Sequence, residues 1–286
     1  MSPAKKVQSK ILFPVIDAAW KINRNDVEVL SESKGISLRG DGRCESPGHC
    51  AKYGAYSLME ERSGLIVDFE LVQVGECAAN VYGSEIDENK RISYSQNLGK
   101  EGLILALQYV QSGLIGRVDV PATDRHPQIS SYMKKRQPHI DHQFDIWHVA
   151  KSVVKKLADF AKTAKGWPLQ PWIAAISNHL WWSAATCHEN PEILREKWRP
   201  ILGHIRNVQH WAGGKHFLQC EHPPYSPEEQ RAWLSPSTPA YEKLTSVVLD
   251  KSLMRDIGKQ SRFCHTGNLE VFYSVMTKYC PKRQHF

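Results

Sequence analysis

Ile36-Ser37-Leu38-Arg39-Gly40-Asp41 alternates apolar and polar side chains and ends on a carboxylate. Period-two alternation predicts a half-buried strand. Working outward, Ala55-Tyr56-Ser57-Leu58-Met59 and Leu65 to Val74 read as two more strands, with Ser63-Gly64 as the turn between them. Leu98 to Leu114 has apolar residues at 103, 104, 107, 110 and 114, which is a helical period. Val118-Asp119-Val120-Pro121-Ala122-Thr123 reads as a fourth strand with Asp124 at its C-terminal end, and His142 to Trp147 as a candidate fifth. From Val149 the period is helical: Val149, Val153, Leu157, Phe160 and Ala161 share one face. Helices are predicted to continue through 172–185, 191–211 and 240–257, and a last helix from Asn268 stops before Pro281. The fold class is therefore α/β, a mixed sheet with flanking helices interrupted by an all-helical insertion.

The 286 residues divide accordingly into a lead segment 1–35, a first core part 36–150, an insertion 151–258 and a final helix 259–286. Charge follows these blocks. Residues 60–101 carry nine acidic and four basic side chains, whereas 132–165 carry eight basic and three acidic, and 251–286 seven and two. Seven of nine Trp and six of 13 His lie between Trp167 and Trp233, which marks a separate packing unit. The formal net charge of +7 permits a polyanionic partner without demanding one. An apolar fraction of 41% excludes overall disorder. No apolar run reaches the roughly 18 residues of a membrane span, and the lysine-bearing N-terminus lacks the apolar stretch of a secretory signal. Seven irregularly spaced cysteines then read as reduced thiols, some of them available to metal.

Three acidic residues fall where a metal site can use them. Asp41 ends the first strand, Asp124 ends the fourth, and Glu270 lies in the first turn of the last helix. Hard oxygen donors with open positions suit a pair of Mg²⁺ or Mn²⁺ ions roughly 3.5–4 Å apart, the arrangement that aligns in-line attack on a phosphodiester. Each residue also has a structural explanation. Gly40-Asp41-Gly42 can form a hairpin turn, Asp124 can cap the helix after Pro127, and Glu270 can complement its helix dipole.

Several blocks resemble a family of eukaryotic cut-and-paste DNA transposases. Gly40-Asp41-Gly42-Arg43, with Ser46-Pro47-Gly48-His49 and Ala51-Lys52-Tyr53-Gly54, is similar to the family's first-aspartate block. Thr123-Asp124-Arg125-His126 resembles the second, and Phe144-Asp145-Ile146-Trp147-His148-Val149-Ala150-Lys151 the block after it. Asn178-His179-Leu180-Trp181-Trp182 resembles the helical insert and His265-Thr266-Gly267-Asn268-Leu269-Glu270 the glutamate block. They run in the family's order from residue 36 to the C-terminus. The resemblance to Kolobok, hAT and Mutator elements implies an RNase H-like core in which strands one and four are neighbours. It also implies a DDE triad of Asp41, Asp124 and Glu270 holding two divalent ions, and assigns Asp145 and His148 to a D-x-x-H signature. Glu45, where the family block has Asp, and the polar stretch 78–97, which reads as extra sequence, are the departures.

Asp145 and His148 can equally form an ion pair at a helix start. On the functional reading His148 approaches the scissile phosphate or a displaced base and supports the site from outside the metals, with Arg125 and His126 also near DNA. A second cluster, His204, His210, Cys220 and His222, has the donor types of a structural Zn²⁺ site, with Cys187 and His188 as competitors. Lys134, Lys135, Arg136, Lys151, Lys155, Lys156, Lys282 and Arg283 read as solvated faces or as a track for the DNA backbone. The tryptophans read as packing rather than as base-stacking platforms. The expectation is a nuclear DNA transposase, made in the cytoplasm, membrane-free and homo-oligomeric when active. Two rivals are a domesticated or truncated derivative that binds without cleaving and an RNase H-like nuclease without strand joining. Two sequence features keep the first open: no zinc-coordinating site-recognition module precedes residue 36, and the chain ends about 16 residues beyond Glu270.

Overall fold

A computed structural model of the chain describes residues 7–33, 36–44, 51, 53–73, 94–114, 118–223 and 232–279. Glu45, most of the polar stretch 78–97, and Lys282 and Arg283 lie outside them. The elements in chain order are α1 (Phe13–Ser33), β1 (Ile36–Cys44), β2 (Tyr53–Glu60), β3 (Ile66–Gln73), α2 (Tyr94–Tyr109), β4 (Val118–Thr123) and α3 (Pro127–Arg136). Then come β5 (Gln143–Phe144), α4 (Ile146–Ala161), α5 (Ile173–Ala185), α6 (Pro191–Trp198), α7 (Ile201–His204), α8 (Pro239–Val248), α9 (Lys251–Asp256) and α10 (Gly267–Tyr279). The fold is α/β, with a mixed five-stranded sheet in the order β3-β2-β1-β4-β5. The chain forms two units, Met1–His142 with Thr266–Phe286, and Gln143–His265. The second unit thus takes in more chain on both sides than the insertion expected at 151–258, and it carries Asp145 and His148.

In the first unit β1 pairs antiparallel with β2 and parallel with β4, and β2 pairs antiparallel with β3. A parallel β1–β4 step requires a crossover, and α2 lies between these strands in sequence. Leu103, Ala106, Leu107 and Val110 of that crossover are buried with Leu38, Tyr56, Leu58 and Val67 of the strands. The first strand does not stop at Asp41. It continues through Gly42, Arg43 and Cys44, which pair with Tyr56, Ala55 and Gly54. Gly40 and Gly42 are therefore not a turn but part of a packing surface. A Cβ on Gly40 would stand 2.5 Å from the Tyr56 hydroxyl oxygen, and one on Gly42 would stand 3.3 Å from the Tyr56 ring. An aromatic on β2 thus covers two glycines of its neighbour strand. Asp41 stands between them, on the other face by strand alternation.

Helix α1 has no counterpart in the sequence reading. Its Asn23 amide donates to the Ile66 carbonyl at 2.6 Å, and Val27 is buried, while Val15, Ile16, Ile22, Val29 and Leu30 are exposed.

The second unit is helical. Val149, Val153, Leu157 and Ala161 of α4 are buried together with Leu169, Trp172, Ile176, Leu180, Trp198 and Leu244. Trp172 and Trp198 are buried in this core, with Trp181 and Trp233 packed against it, whereas Trp167 is exposed. The Trp198 indole donates to the Val248 carbonyl at 3.1 Å and the Trp172 indole to the Ala232 carbonyl at 2.8 Å, so each buried ring has its polar edge satisfied. The helix expected over 191–211 ends at Trp198, because Pro200 has no N–H to continue the ladder. After the short α7 the chain turns into an extended segment, where His210 bridges Gln219.

Candidate functional site

The parallel ladder brings together the segments that carry the two aspartates. Leu38 pairs with Pro121 and Arg39 with Ala122. Two residues further along, Asp41 continues β1 and Asp124 follows directly after the end of β4. They line one cavity of about 180 Å³, together with Arg43, Tyr56 and His126. The Gly42 N–H donates to Asp41 Oδ1 at 2.8 Å and fixes that carboxylate's rotamer. At the end of β4, the Thr123 hydroxyl donates to the Asp124 carbonyl at 2.9 Å and contacts His142 Nε2 at 2.9 Å, which must then be the protonated nitrogen. The His126 N–H donates to the Asp124 carbonyl at 2.8 Å, and Pro127 opens α3 directly afterwards. His126 Nδ1 is buried at the cavity with no hydrogen-bond partner among the described residues, as is the Tyr56 hydroxyl. The Tyr56 phenol is pushed well above its ordinary pKa, first by burial and then by the negative fields of Asp41 and Asp124. It stays a neutral donor at any physiological pH. Arg125 is half-buried at the start of the same turn.

Glu270 lies in the first turn of α10, as read, and is exposed, while its neighbour Leu269 is buried. One turn on, the Tyr273 hydroxyl donates to the Asp41 carbonyl at 2.5 Å, which ties this helix to β1. The helix of the third carboxylate thus reaches the strand of the first. The three carboxylates are not drawn into one tight cluster: among the described residues, the group of three His, Cys or acidic donors whose ligand atoms all lie within 4.8 Å of one another is His204, Cys220 and His222.

In the second unit Asp145 caps α4. Its carboxylate accepts the Trp147 N–H at 2.7 Å and lies 3.8 Å from His148 Nε2, and the side chain is buried. This is an N-cap with a local Asp–His contact at the i, i+3 spacing. Lys151 sits over the Trp147 ring, 4.1 Å from its centroid. Lys151, Lys155 and Lys156 are exposed on α4, and Lys134, Lys135 and Arg136 are exposed in the last turn of α3.

The His/Cys group sits at the end of α7 and in the segment after the His210 bridge. His204 Nδ1 is 3.4 Å from Cys220 Sγ and 3.3 Å from His222 Nε2. His210, expected as a fourth member, is exposed and outside the group. The reason is its bridge: it pairs with Gln219, one residue short of Cys220, so the strand alternation turns it aside. The group lines a cavity of about 420 Å³ whose other walls include His179, Trp182, Trp211 and Phe217. Buried Lys197 binds the Thr186 hydroxyl at 2.9 Å and the Glu221 carboxylate at 3.0 Å and lies 4.5 Å from the Trp182 ring centroid. It anchors the segment that carries Cys220 and His222. His179 Nε2 donates to the Lys197 carbonyl at 2.8 Å, and burial holds its pKa down to about 4. Sequence reasoning missed Tyr56, Tyr273 and Lys197, because each acts through tertiary contact and none stands in a spacing motif. The four described cysteines, Cys44, Cys187, Cys220 and Cys264, form no disulfide.

No described helix is long and apolar enough to cross a membrane. Comparison of the chain with protein-family models, with curated proteins and with solved structures finds no match.

Proposed function

We propose that the chain performs metal-dependent cleavage and joining of DNA strands, of the transposase type. One observation carries the reading: Asp41 in β1 and Asp124 directly after β4, far apart in sequence, are brought around one cavity by the pairing of those adjacent parallel strands. Adjacency of strands one and four is what the RNase H-like resemblance requires of the core. The donors fit hard cations, because each aspartate offers a carboxylate. Mg²⁺ or Mn²⁺ held there would act as Lewis acid and stabilise the attacking and leaving oxygens of a phosphodiester.

The chain's own side chains would do the rest. Arg43 and His126 line the same cavity, where they can hold the non-bridging phosphate oxygens. Glu270 is the third oxygen donor on this reading, on a helix held to β1 by Tyr273. The exposed lysines of α3 and α4 supply phosphate neutralisation along the duplex. A DNA substrate of this kind places the activity in the nucleus.

The test uses supercoiled and linear DNA. Nicking should require Mg²⁺ or Mn²⁺ and vanish in Asp124→Asn, which removes one anionic ligand with little change of shape. Joining of a 3′-hydroxyl end to a second duplex should accompany it. Nicking without joining would reduce the reading to a nuclease, and no divalent-dependent nicking would reject catalysis.

A further inference from the structure

We propose that His204, Cys220 and His222 bind one Zn²⁺ ion whose fourth coordination position opens into the adjoining 420 Å³ cavity, where it takes water or a small anionic ligand. This is a tricoordinate protein site with an exchangeable ligand rather than a closed four-ligand structural site. It lies wholly in the second unit and is independent of the strand-transfer reading.

Three observations carry it. The first is spacing. With Zn–N near 2.1 Å and Zn–S near 2.3 Å, tetrahedral angles put two nitrogen ligands about 3.3–3.4 Å apart and a nitrogen and a sulfur about 3.5–3.6 Å apart. The two nitrogens here stand 3.3 Å apart and the His204 nitrogen stands 3.4 Å from the sulfur. Two of the three donor separations are thus close to those a central ion imposes, and all three donors lie within 4.8 Å of one another.

The second is tautomer. His222 Nδ1 lies 2.7 Å from the Pro223 carbonyl, which can only accept, so the neutral ring carries its proton there. Its Nε2 lone pair then faces His204 Nδ1. A carbonyl behind a ligating imidazole is the usual orienting partner of such a ligand. One cation accepts the lone pairs of all three donors together. One proton on His204 Nδ1 can serve its two neighbours only as a shared, bent hydrogen bond.

The third is rigidity and access. Lys197 grips Glu221, the residue between the two ligands, and is itself buried against Trp182 and Phe217. The ligand segment is therefore held from behind, while its donors face a cavity lined by aromatic rings. His210 does not close the fourth position, since it is outside the group.

The experiment uses the full chain, stripped by a chelator, dialysed, and titrated with Zn²⁺ or Co²⁺. We expect one equivalent bound, and for the cobalt form a thiolate charge-transfer band with tetrahedral d–d absorption. Azide should shift the d–d bands by entering the open position. Cys220→Ser should abolish the charge-transfer band, His222→Ala should weaken binding at least about tenfold, and His210→Ala should leave stoichiometry and spectrum unchanged. Failure of the folded wild-type chain to take up either metal would overturn the site. A d–d spectrum indifferent to azide, or one lost in His210→Ala, would overturn the open position. The metal and azide titrations of the wild-type chain need no variant, so they decide the matter even where a substitution unfolds the protein.

Discussion

The Tyr273 hydroxyl and the Asp41 backbone carbonyl are joined by a 2.5 Å hydrogen bond, which fixes the register of α10 against β1. The bond lies one turn from Glu270 and on the residue that lines the aspartate cavity. Tyr273 is 7% exposed, so water does not compete freely for it. Tyr273→Phe should therefore lower stability by about 0.5–1.5 kcal/mol, the usual net value of a lost bond. If α10 delivers Glu270 to the metal site, divalent-dependent nicking should fall further than that loss of stability explains. Denaturant unfolding and nicking rates on the same preparation separate the two effects. Equal nicking in the two proteins would detach α10 from the chemistry.

Asp41 and Asp124 both raise the Tyr56 phenol pKa, so their fields overlap at one point. Without a cation, removing one of these charges relieves repulsion, and Asp124→Asn should be as stable as the wild type or slightly more so. With Mg²⁺ or Mn²⁺ the order should reverse. A ligand that binds only the folded state stabilises it by about 2.7 kcal/mol at a hundred times its dissociation constant. Thermal melts should thus show a divalent-dependent rise in wild type and none in Asp124→Asn. The same rise in both would place the cation elsewhere.

Gly102 of α2 reverses an ordinary rule. In an exposed helix, Gly→Ala gains roughly 1 kcal/mol. Here the new Cβ would stand 2.4 Å from the Tyr56 Cβ, at the base of the side chain rather than at its flexible end. Helix and strand must then separate, at the cost of about 1–3 kcal/mol typical of overpacking. Gly102→Ala should be net destabilising. Gly99→Ala is its control: it lies in the same helix and meets nothing within 4 Å, so it should be neutral or stabilising.

These contacts also explain what the sequence could show. Val118–Thr123 is the observed β4, buried at five of its six positions, and the apolar spacing from Val149 marks the buried face of α4. Periodicity reports burial, so it works where one face is dry. It fails for α1, whose apolar side chains are mostly exposed. Gly40-Asp41-Gly42 carried a turn signal because glycine tolerates turn geometry, yet these glycines serve Tyr56 in a strand. The pairing partner that decides between the two lies on β2 and is invisible locally. Asp41 and Asp124 were legible as acids near strand ends, although β1 runs on to Cys44, and their meeting at one cavity required the β1–β4 pairing. His204, Cys220 and His222 were legible as donor types, and only the His210–Gln219 bridge decides which His stays out.

Asp68 of β3 offers a pH signature. It is 7% exposed, and its Oδ2 is buried with no hydrogen-bond partner among the described residues. Burial, and then the Glu70 charge, raise its pKa to about 6. That lies above the unfolded value near 3.9, so the protonated form favours folding. The contribution is fully present below about pH 4 and is lost as pH rises through 6. Asp68→Asn keeps the shape without titrating. It should be more stable than wild type by about 1–2 kcal/mol at pH 7, and the gap should close towards pH 4. Comparing the two proteins at each pH by denaturant unfolding cancels the other titrating groups. A gap independent of pH would mean that Asp68 does not titrate in this window.

The basic helix faces make a separate prediction about DNA. Lys151 and Lys155 are exposed on α4, and Lys151 rests on the Trp147 ring, which holds its ammonium group in place at 4.1 Å from the centroid. Phosphate contacts supply affinity and position but do not read sequence. Each neutralised phosphate releases condensed counterions and contributes about 0.9 to the slope of log affinity against log salt. Lys151→Ala/Lys155→Ala should therefore weaken binding to all duplexes alike and reduce the slope by about two. The α3 set, Lys134→Ala/Lys135→Ala, should act in the same manner if both faces follow the duplex. Titrations of unrelated duplexes at several salt concentrations give the slope and the selectivity together. If the lysines are only a solvated face, both quantities stay at their wild-type values. If Lys151→Ala/Lys155→Ala weakens one sequence selectively, α4 reads base edges rather than the backbone.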